Sequence, residues 1–141
     1  MNLSISRALG IKPYSTKTEN AFLESLDHAL GNLFLSGARF AVHREVPVSQ
    51  IFQENLAGSH LFYTGRFDFV IYERVAPEKE APVFAIELDG MEHYDDEVVK
   101  RRDSEKQAIC KKHGFVLIRV DNSYARRYNY IKSILLDYFR R

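Results

Sequence analysis

Three carboxylates, Asp68, Glu87 and Asp89, carry the first chemical signal in this chain. Residues two apart on a β-strand point to the same side, so the carboxylates of Glu87 and Asp89 start roughly 6–7 Å apart. Phe84, Ile86 and Leu88 occupy the other face, while Val83 and Ala85 share the face of Glu87. A carboxylate on an otherwise apolar face is costly unless it is paired or holds a metal. Asp68 repeats the pattern between Phe67 and Phe69. If the two strands pair as a hairpin around residues 73–82, Asp68 and Glu87 become neighbours. Close carboxylates repel, so they either raise a pKa or hold a hard cation. Magnesium takes one or two carboxylates, waters and phosphate oxygens, the arrangement used in phosphodiester hydrolysis.

Each residue also has a purely structural reading. Asp68 can be salt-bridged to Arg66 or to a neighbouring basic residue. Glu87 and Asp89 can pair with Arg119 or Lys106, or Asp89 can serve as a turn carboxylate ahead of Gly90. His93, four residues past Asp89, can bind a metal, shuttle a proton or contact a phosphate, or it can be an ordinary loop histidine. Farther on, Val99, Ile109, Cys110 and His113 mark the inward side of a helix, and Arg102, Asp103 and Lys106 lie on or beside it. Lys106 can therefore approach the carboxylates and put a positive charge near a scissile phosphate. The alternative is an Asp103–Lys106 or Asp103–Gln107 pair over a snorkelling stem. Glu19 is explained without function as the N3 acid of a capping box opened by Thr16.

The elements that must position these residues follow from periodicity. Phe22, Leu23, Leu26, Leu30 and Leu33 predict an amphipathic helix over 16–35, with Gly37 as its C-cap signal. Residues 39–46 read as a strand that Pro47 ends or marks as an edge, and 48–64 are ambiguous, with a short helical turn open to Val48 to Asn55. Strands are predicted over 66–72 and 83–89, with the charged, proline-bearing 73–82 as a loop between them. Asp95 or Asp96 caps a helix running to His113, acidic in its first turn and basic in its last, with Gly114 beyond it. Residues 115–120 form a buried strand and 125–140 a last helix. The order α-β-β-β-α-β-α makes the strands flanking the 96–113 helix parallel, joined by a right-handed crossover.

The chain has 141 residues, 45% of them apolar and 28% charged. It reads as one domain, with an arm over 1–14, a core over 15–121 and a C-terminal helix over 122–141. A lone cysteine, Cys110, excludes an intrachain disulfide and a cysteine-rich zinc site, and points to a reducing cytoplasm. No apolar stretch approaches the ~20 residues of a membrane helix, and Met1 to Pro13 lack a signal-peptide design. Net charge is +1, but its distribution is uneven. Residues 71–99 hold nine acidic and two basic side chains, whereas 100–141 hold twelve basic and four acidic. That sequence of blocks suits a metal site beside a phosphate-binding surface, or equally helix-dipole complementarity with solvated faces. Arg101, Arg102, Lys111, Lys112, Arg126 and Arg127 are the basic candidates for nucleic-acid binding. Tyr124, Tyr128 and Tyr130 beside them could stack on bases or cover a core edge.

Asp68-Phe69, the Glu87-Leu88-Asp89-Gly90 stretch with His93, Arg102-Asp103-Ser104-Glu105-Lys106 and Gly114 to Val120 together resemble the PD-(D/E)XK, or restriction-endonuclease-like, superfamily. The nearest likeness is to small bacterial domains related to very-short-patch-repair-type endonucleases, over about residues 16–121. The resemblance implies an α/β fold with an α-β-β-β-α-β core and a central mixed four-stranded sheet flanked by helices. It implies metal-dependent DNA cleavage, with Asp68 and Glu87 as metal ligands and Glu19 as an accessory acid. In one respect this chain departs from the pattern: the usual lysine two residues after the glutamate is Asp89 here, and Lys106 is the candidate replacement.

The expectation is a Mg²⁺- (or Mn²⁺-) dependent endonuclease or nickase acting on DNA, with RNA left open. Asp68, Glu87 and Asp89 are the metal set, Lys106 positions the nucleophile or stabilises transition-state charge, and His93 assists the leaving group. The alternative is a catalytically inactive nucleic-acid-binding or protein-interaction module of the same fold. A homodimer would place two sites for a double-strand cut and a monomer would nick; the sequence chooses neither, and a partner domain is equally compatible.

Overall fold

A long hairpin forms the centre of the molecule. In the computed structural model, which describes residues 16–33, 39–90 and 97–140, β2 (Arg66–Ala76) and β3 (Lys79–Asp89) pair antiparallel. β1 (Phe40–Pro47) pairs antiparallel with β2 on one side, and β4 (Val116–Asp121) pairs parallel with β3 on the other. The sheet is therefore four-stranded and mixed, in the order β1-β2-β3-β4. The remaining elements are α1 (Thr16–Leu33), two single-turn helices α2 (Val48–Ile51) and α3 (Leu61–Thr64), α4 (Glu97–Lys112), a 3-10 turn η1 (Asn122–Tyr124) and α5 (Tyr128–Phe139).

Alternation along the hairpin divides the core in two. Phe69, Ile71, Phe84, Ile86 and Leu88 face α1 and α5, packing on Phe22, Leu26, Leu30, Ile131 and Leu135. Val70, Tyr72 and Ala85 face the other way, onto Leu61, Phe62, Ile109 and Cys110. The apolar stripe of α1 and that of α5 thus bury against one sheet face, and the inward side of α4 against the other. A parallel β3/β4 pair needs a crossover, and α4 supplies it. Gly114, at φ +66°, ends the helix in the left-handed conformation that glycine adopts without a Cβ penalty.

The hairpin is longer than composition suggests. Residues 73–82, expected as a loop, are strand except for the turn at Pro77 and Glu78, with Glu78 at φ 61°. Charges there pair across strands: Arg74 with Glu80 at 3.7 Å, His43 with Glu80 at 2.8 Å, and Arg39 with Glu73 at 3.0 Å. Pro82 is tolerated because pairing with β4 begins only at Phe84, so β3 is locally an edge at the proline. The register shifts between Ile71 and Tyr72, whose partners are Phe84 and Pro82. This bulge skips Val83 and turns it onto the α1/α5 side, not the face of Glu87 that strict alternation assigned to it.

Element ends move by a few residues. The first helix is described as far as Leu33, its expected end at 35 lying outside the described residues, and the last begins at Tyr128, after η1 has taken up the chain leaving β4. The arm before Thr16, Gly37, Asp95, Asp96 and His93 lie outside the described residues. Among the described residues no helix is long and apolar enough to cross a membrane.

Candidate functional site

The paired register of β2 and β3 ends at Phe69 and Ile86. One residue further on, side chains meet the opposite backbone. The Asp68 amide donates to Oε2 of Glu87 at 2.6 Å, and the Leu88 amide donates to Oδ2 of Asp68 at 2.8 Å. Each carboxylate thus accepts an N–H from the other's strand. Both residues are buried, Asp68 4% exposed and Glu87 0%. Buried amides and carboxylates are costly when unmatched, and this exchange satisfies both at once.

Lys106 reaches the same place from α4. Its ammonium donates to the Arg66 carbonyl at 2.7 Å and to Oε1 of Glu87, and it lies 5.9 Å from the Phe67 ring centroid. The inward position read from the helical stripe is confirmed, since Lys106, Ile109 and Cys110 are the buried residues of α4. The partner of Lys106 is the carboxylate on the sheet.

Asp89 sits beside β4 and meets Arg119, whose guanidinium donates to its Oδ1 at 3.2 Å. Arg119 also donates to the Asp103 carbonyl at 3.0 Å and lies 3.4 Å from Oδ1 of Asp103. One side chain therefore clasps β3 to α4 one helical turn before Lys106. Burial lowers the pKa of Arg119, but the carboxylates of Asp103, Asp89 and Glu87 and the hydrogen bond to Asp89 outweigh it, so the guanidinium is held above its ordinary value. The Asp89–Arg119 and Glu87–Lys106 pairings raised as structural alternatives are both present. Arg66 is not a partner of Asp68 by salt bridge; its guanidinium donates to the Glu45 carbonyl at 3.3 Å.

Glu19 is buried at 8% exposure, and its Oε2 accepts from Arg44 at 2.8 Å. Arg44 also donates to Asn20 and lies 5.8 Å from the Phe69 ring centroid. This contact is tertiary, joining α1 to β1, while the expected capping box with Thr16 falls on a side chain outside those described. Arg44 stands opposite Phe69 in the β1/β2 register, which brings the Glu19 pair to within a residue of Asp68 along β2. Sequence reasoning did not single out Arg44, and a single arginine in a short strand carries no signal for a partner 25 residues earlier.

Cys110, behind the site, is fully buried. Burial first, then the Glu87 charge, pushes its thiol up to about 12, with Lys106 and Arg119 acting in the opposite direction. It is an inert packing residue.

Asp68 and Glu87 are the residues that could hold a divalent cation. Among the described residues no group of three or more His, Cys, Asp or Glu side chains is arranged to hold a metal. Two carboxylates with waters are nevertheless the donor number magnesium uses. Asp68, Glu87, Asp89 and Asp103 gather at this end of the sheet, where Lys106 donates to Glu87 and Arg119 bridges Asp89 and Asp103.

The basic candidates fall on two stretches. On α4, Arg101, Lys111 and Lys112 are exposed and Arg102 is half-buried. Arg126 and Arg127 are exposed at the turn before α5. Lys111 also borders a shallow groove between α4 and β4, with Ser104, Gln107 and Arg119.

A family described as a protein of unknown function (DUF2726) matches residues 11–137, and the chain belongs to it. No curated protein and no solved structure matches the chain.

Proposed function

We propose that this member of the DUF2726 family is a magnesium-dependent endonuclease or nickase that hydrolyses phosphodiester bonds in DNA. The observation that carries the reading is the exchange between Asp68 and Glu87 where the β2/β3 ladder ends, with Lys106 delivered to the same carboxylate from α4. This geometry supports the resemblance to PD-(D/E)XK nucleases, including the substitution of a helical lysine for the one that Asp89 displaces. A divalent cation held by Asp68 and Glu87 would lower the pKa of a bound water and neutralise the scissile phosphate. Lys106 supplies a fixed positive charge at Glu87, placed to stabilise charge developing on the phosphate. Arg119 keeps Asp89 and α4 in register with β3. The basic side chains of α4 and of the turn before α5 hold the DNA backbone.

The test is nicking of supercoiled plasmid with Mg²⁺ or Mn²⁺, comparing wild type with Glu87→Ala and Glu87→Gln. Metal-dependent nicking by wild type alone is expected. No nicking by wild type at high protein concentration with either metal overturns the reading.

One observation favours a second reading, a nucleic-acid-binding module without catalysis. Glu87 is fully buried and already matched by Lys106 and the Asp68 amide, as a purely structural ion pair would be. That reading predicts salt-sensitive DNA binding that is equal in wild type and Glu87→Gln, with no turnover by either.

A further inference from the structure

β4 runs parallel to β3 with Asp121 opposite Asp89, so the chain leaves β4 at the sheet end where Glu87 and Asp89 stand. The next residues form a tight, preorganised turn. Asp121 caps it by accepting from the Ser123 amide at 2.9 Å and the Ser123 hydroxyl at 2.7 Å. Ala125 donates to the Asn122 carbonyl at 3.2 Å and Arg127 to the Tyr124 carbonyl at 3.0 Å. Ala125, buried to 1% exposure, pins the turn to the core.

Tyr124 of this turn stacks on Tyr130 in the first turn of α5, with centroids 4.5 Å apart and rings 27° from parallel. The Arg127 guanidinium lies 4.7 Å from the Tyr124 ring centroid. Tyr130 remains 38% exposed, among the large apolar side chains left open to solvent. Arg126 and Arg127 are exposed beside it, and residues 122–136 carry Arg126, Arg127 and Lys132 with no acidic side chain. An aromatic stack with Tyr130 exposed on its outer side, Tyr124 packed on the core and Arg126 and Arg127 beside it matches a nucleotide chain, whose bases stack and whose phosphates pair with arginine. Bases inside a duplex are already stacked on one another, so such a platform engages an unpaired base.

We infer that the turn between β4 and α5 is a binding surface for single-stranded DNA, taking an unpaired base on the Tyr124–Tyr130 stack and flanking phosphates on Arg126 and Arg127. The inference deepens the nuclease reading and rests on it for the identity of the ligand. It makes the substrate a DNA with unpaired nucleotides next to the cut.

The test is fluorescence anisotropy with the full chain in EDTA, where cleavage plays no part, using a labelled DNA oligonucleotide and its blunt duplex. Wild type is expected to bind the single strand more tightly. Tyr130→Ala should weaken single-strand binding roughly 5- to 100-fold and duplex binding by less than about twofold, while Tyr130→Phe retains the wild-type affinity. Arg126→Ala should weaken both and lower the salt dependence. Because Tyr130 is exposed, its loss leaves the fold intact, which circular dichroism checks. Preference for duplex in wild type, or single-strand affinity unchanged in Tyr130→Ala, overturns the inference. A Tyr130-dependent single-strand preference in a protein that never nicks plasmid would sustain this surface and sink the nuclease reading. Plasmid nicking with Tyr130 irrelevant to binding would do the reverse.

Discussion

Asp68 donates its backbone N–H to the carboxylate of Glu87, and the residue after Glu87 returns the bond to the carboxylate of Asp68. The strands are held together past the end of their ladder by the two groups proposed to bind metal. Any change at either residue therefore reads out on stability as well as on activity, and the two effects need separate measurements.

Lys106→Met removes the ammonium that donates to the buried Glu87. Removing one partner of a buried pair costs about 3–5 kcal/mol, whereas removing both charges at once is nearly neutral. Urea unfolding should therefore show Lys106→Met and Glu87→Gln each destabilised, and the double variant restored well above the sum of the two losses. Strict additivity would mean the pair contributes no coupling.

Arg119 is 25% exposed at its side chain and bridges Asp89 and Asp103, so its loss is milder. Arg119→Ala should cost about 2–3 kcal/mol in the same titration. Arg119→Lys should recover only part of that, because an ammonium cannot fork between the Asp103 carbonyl and the Asp89 carboxylate as a guanidinium does. Full rescue by lysine would show that charge alone matters at this position.

Much of this arrangement is legible in the sequence. Alternation at 66–72 and 83–89 places Asp68 beside Glu87 once a hairpin is assumed, and helical spacing turns Lys106 inward. Residues 73–82 mislead, because prolines and charges signal a loop. There the charges are cross-strand partners, and Pro82 lies where β3 has no second neighbour. The Glu19–Arg44 pair is invisible for another reason. It joins a helix to a strand whose contact is decided by tertiary packing, and the same spacing from Thr16 offered Glu19 a local explanation.

Cys110 gives a pH-dependent prediction. Its thiol is raised from an ordinary 9.0 to about 12 by burial in the fold. Below the unfolded value both states hold the proton, so the thiol adds no pH dependence. As pH rises from about 9 towards 12 the unfolded chain ionises first and binds fewer protons, so stability falls. Replacing the cysteine by alanine should flatten that part of the profile in urea titrations at stepped pH. At pH 8 the native thiol should resist a thiol-reactive dye that labels it promptly in denaturant; prompt labelling of the native protein would contradict its burial.

Gly65 is a packing glycine. It is buried, donates to the Leu61 carbonyl at 2.7 Å and accepts from the Val48 amide at 3.0 Å. A Cβ there would stand 2.8 Å from the Leu61 carbonyl oxygen and 2.9 Å from its Cγ. Gly65→Ala forces backbone to move just before β2 and should cost about 1–3 kcal/mol, seen as a lower thermal midpoint. An unchanged midpoint would show that α3 shifts freely.

Two groups on neighbouring positions of one strand have a separation fixed by the pleat. Here the carboxylates ride on a sheet and the lysine on a helix, so the distance between Glu87 and Lys106 is a mechanical variable. It is set by how α4 lies across the sheet. Rotation of the helix about its axis by a single residue, about 100°, would withdraw the ammonium altogether. The clasp of Arg119 on Asp103 stands one turn away and acts as the brake on that rotation. With its carboxylate on a strand and its lysine on a helix, the Glu87–Lys106 pair has an adjustable degree of freedom, and Arg119 is the residue that locks it.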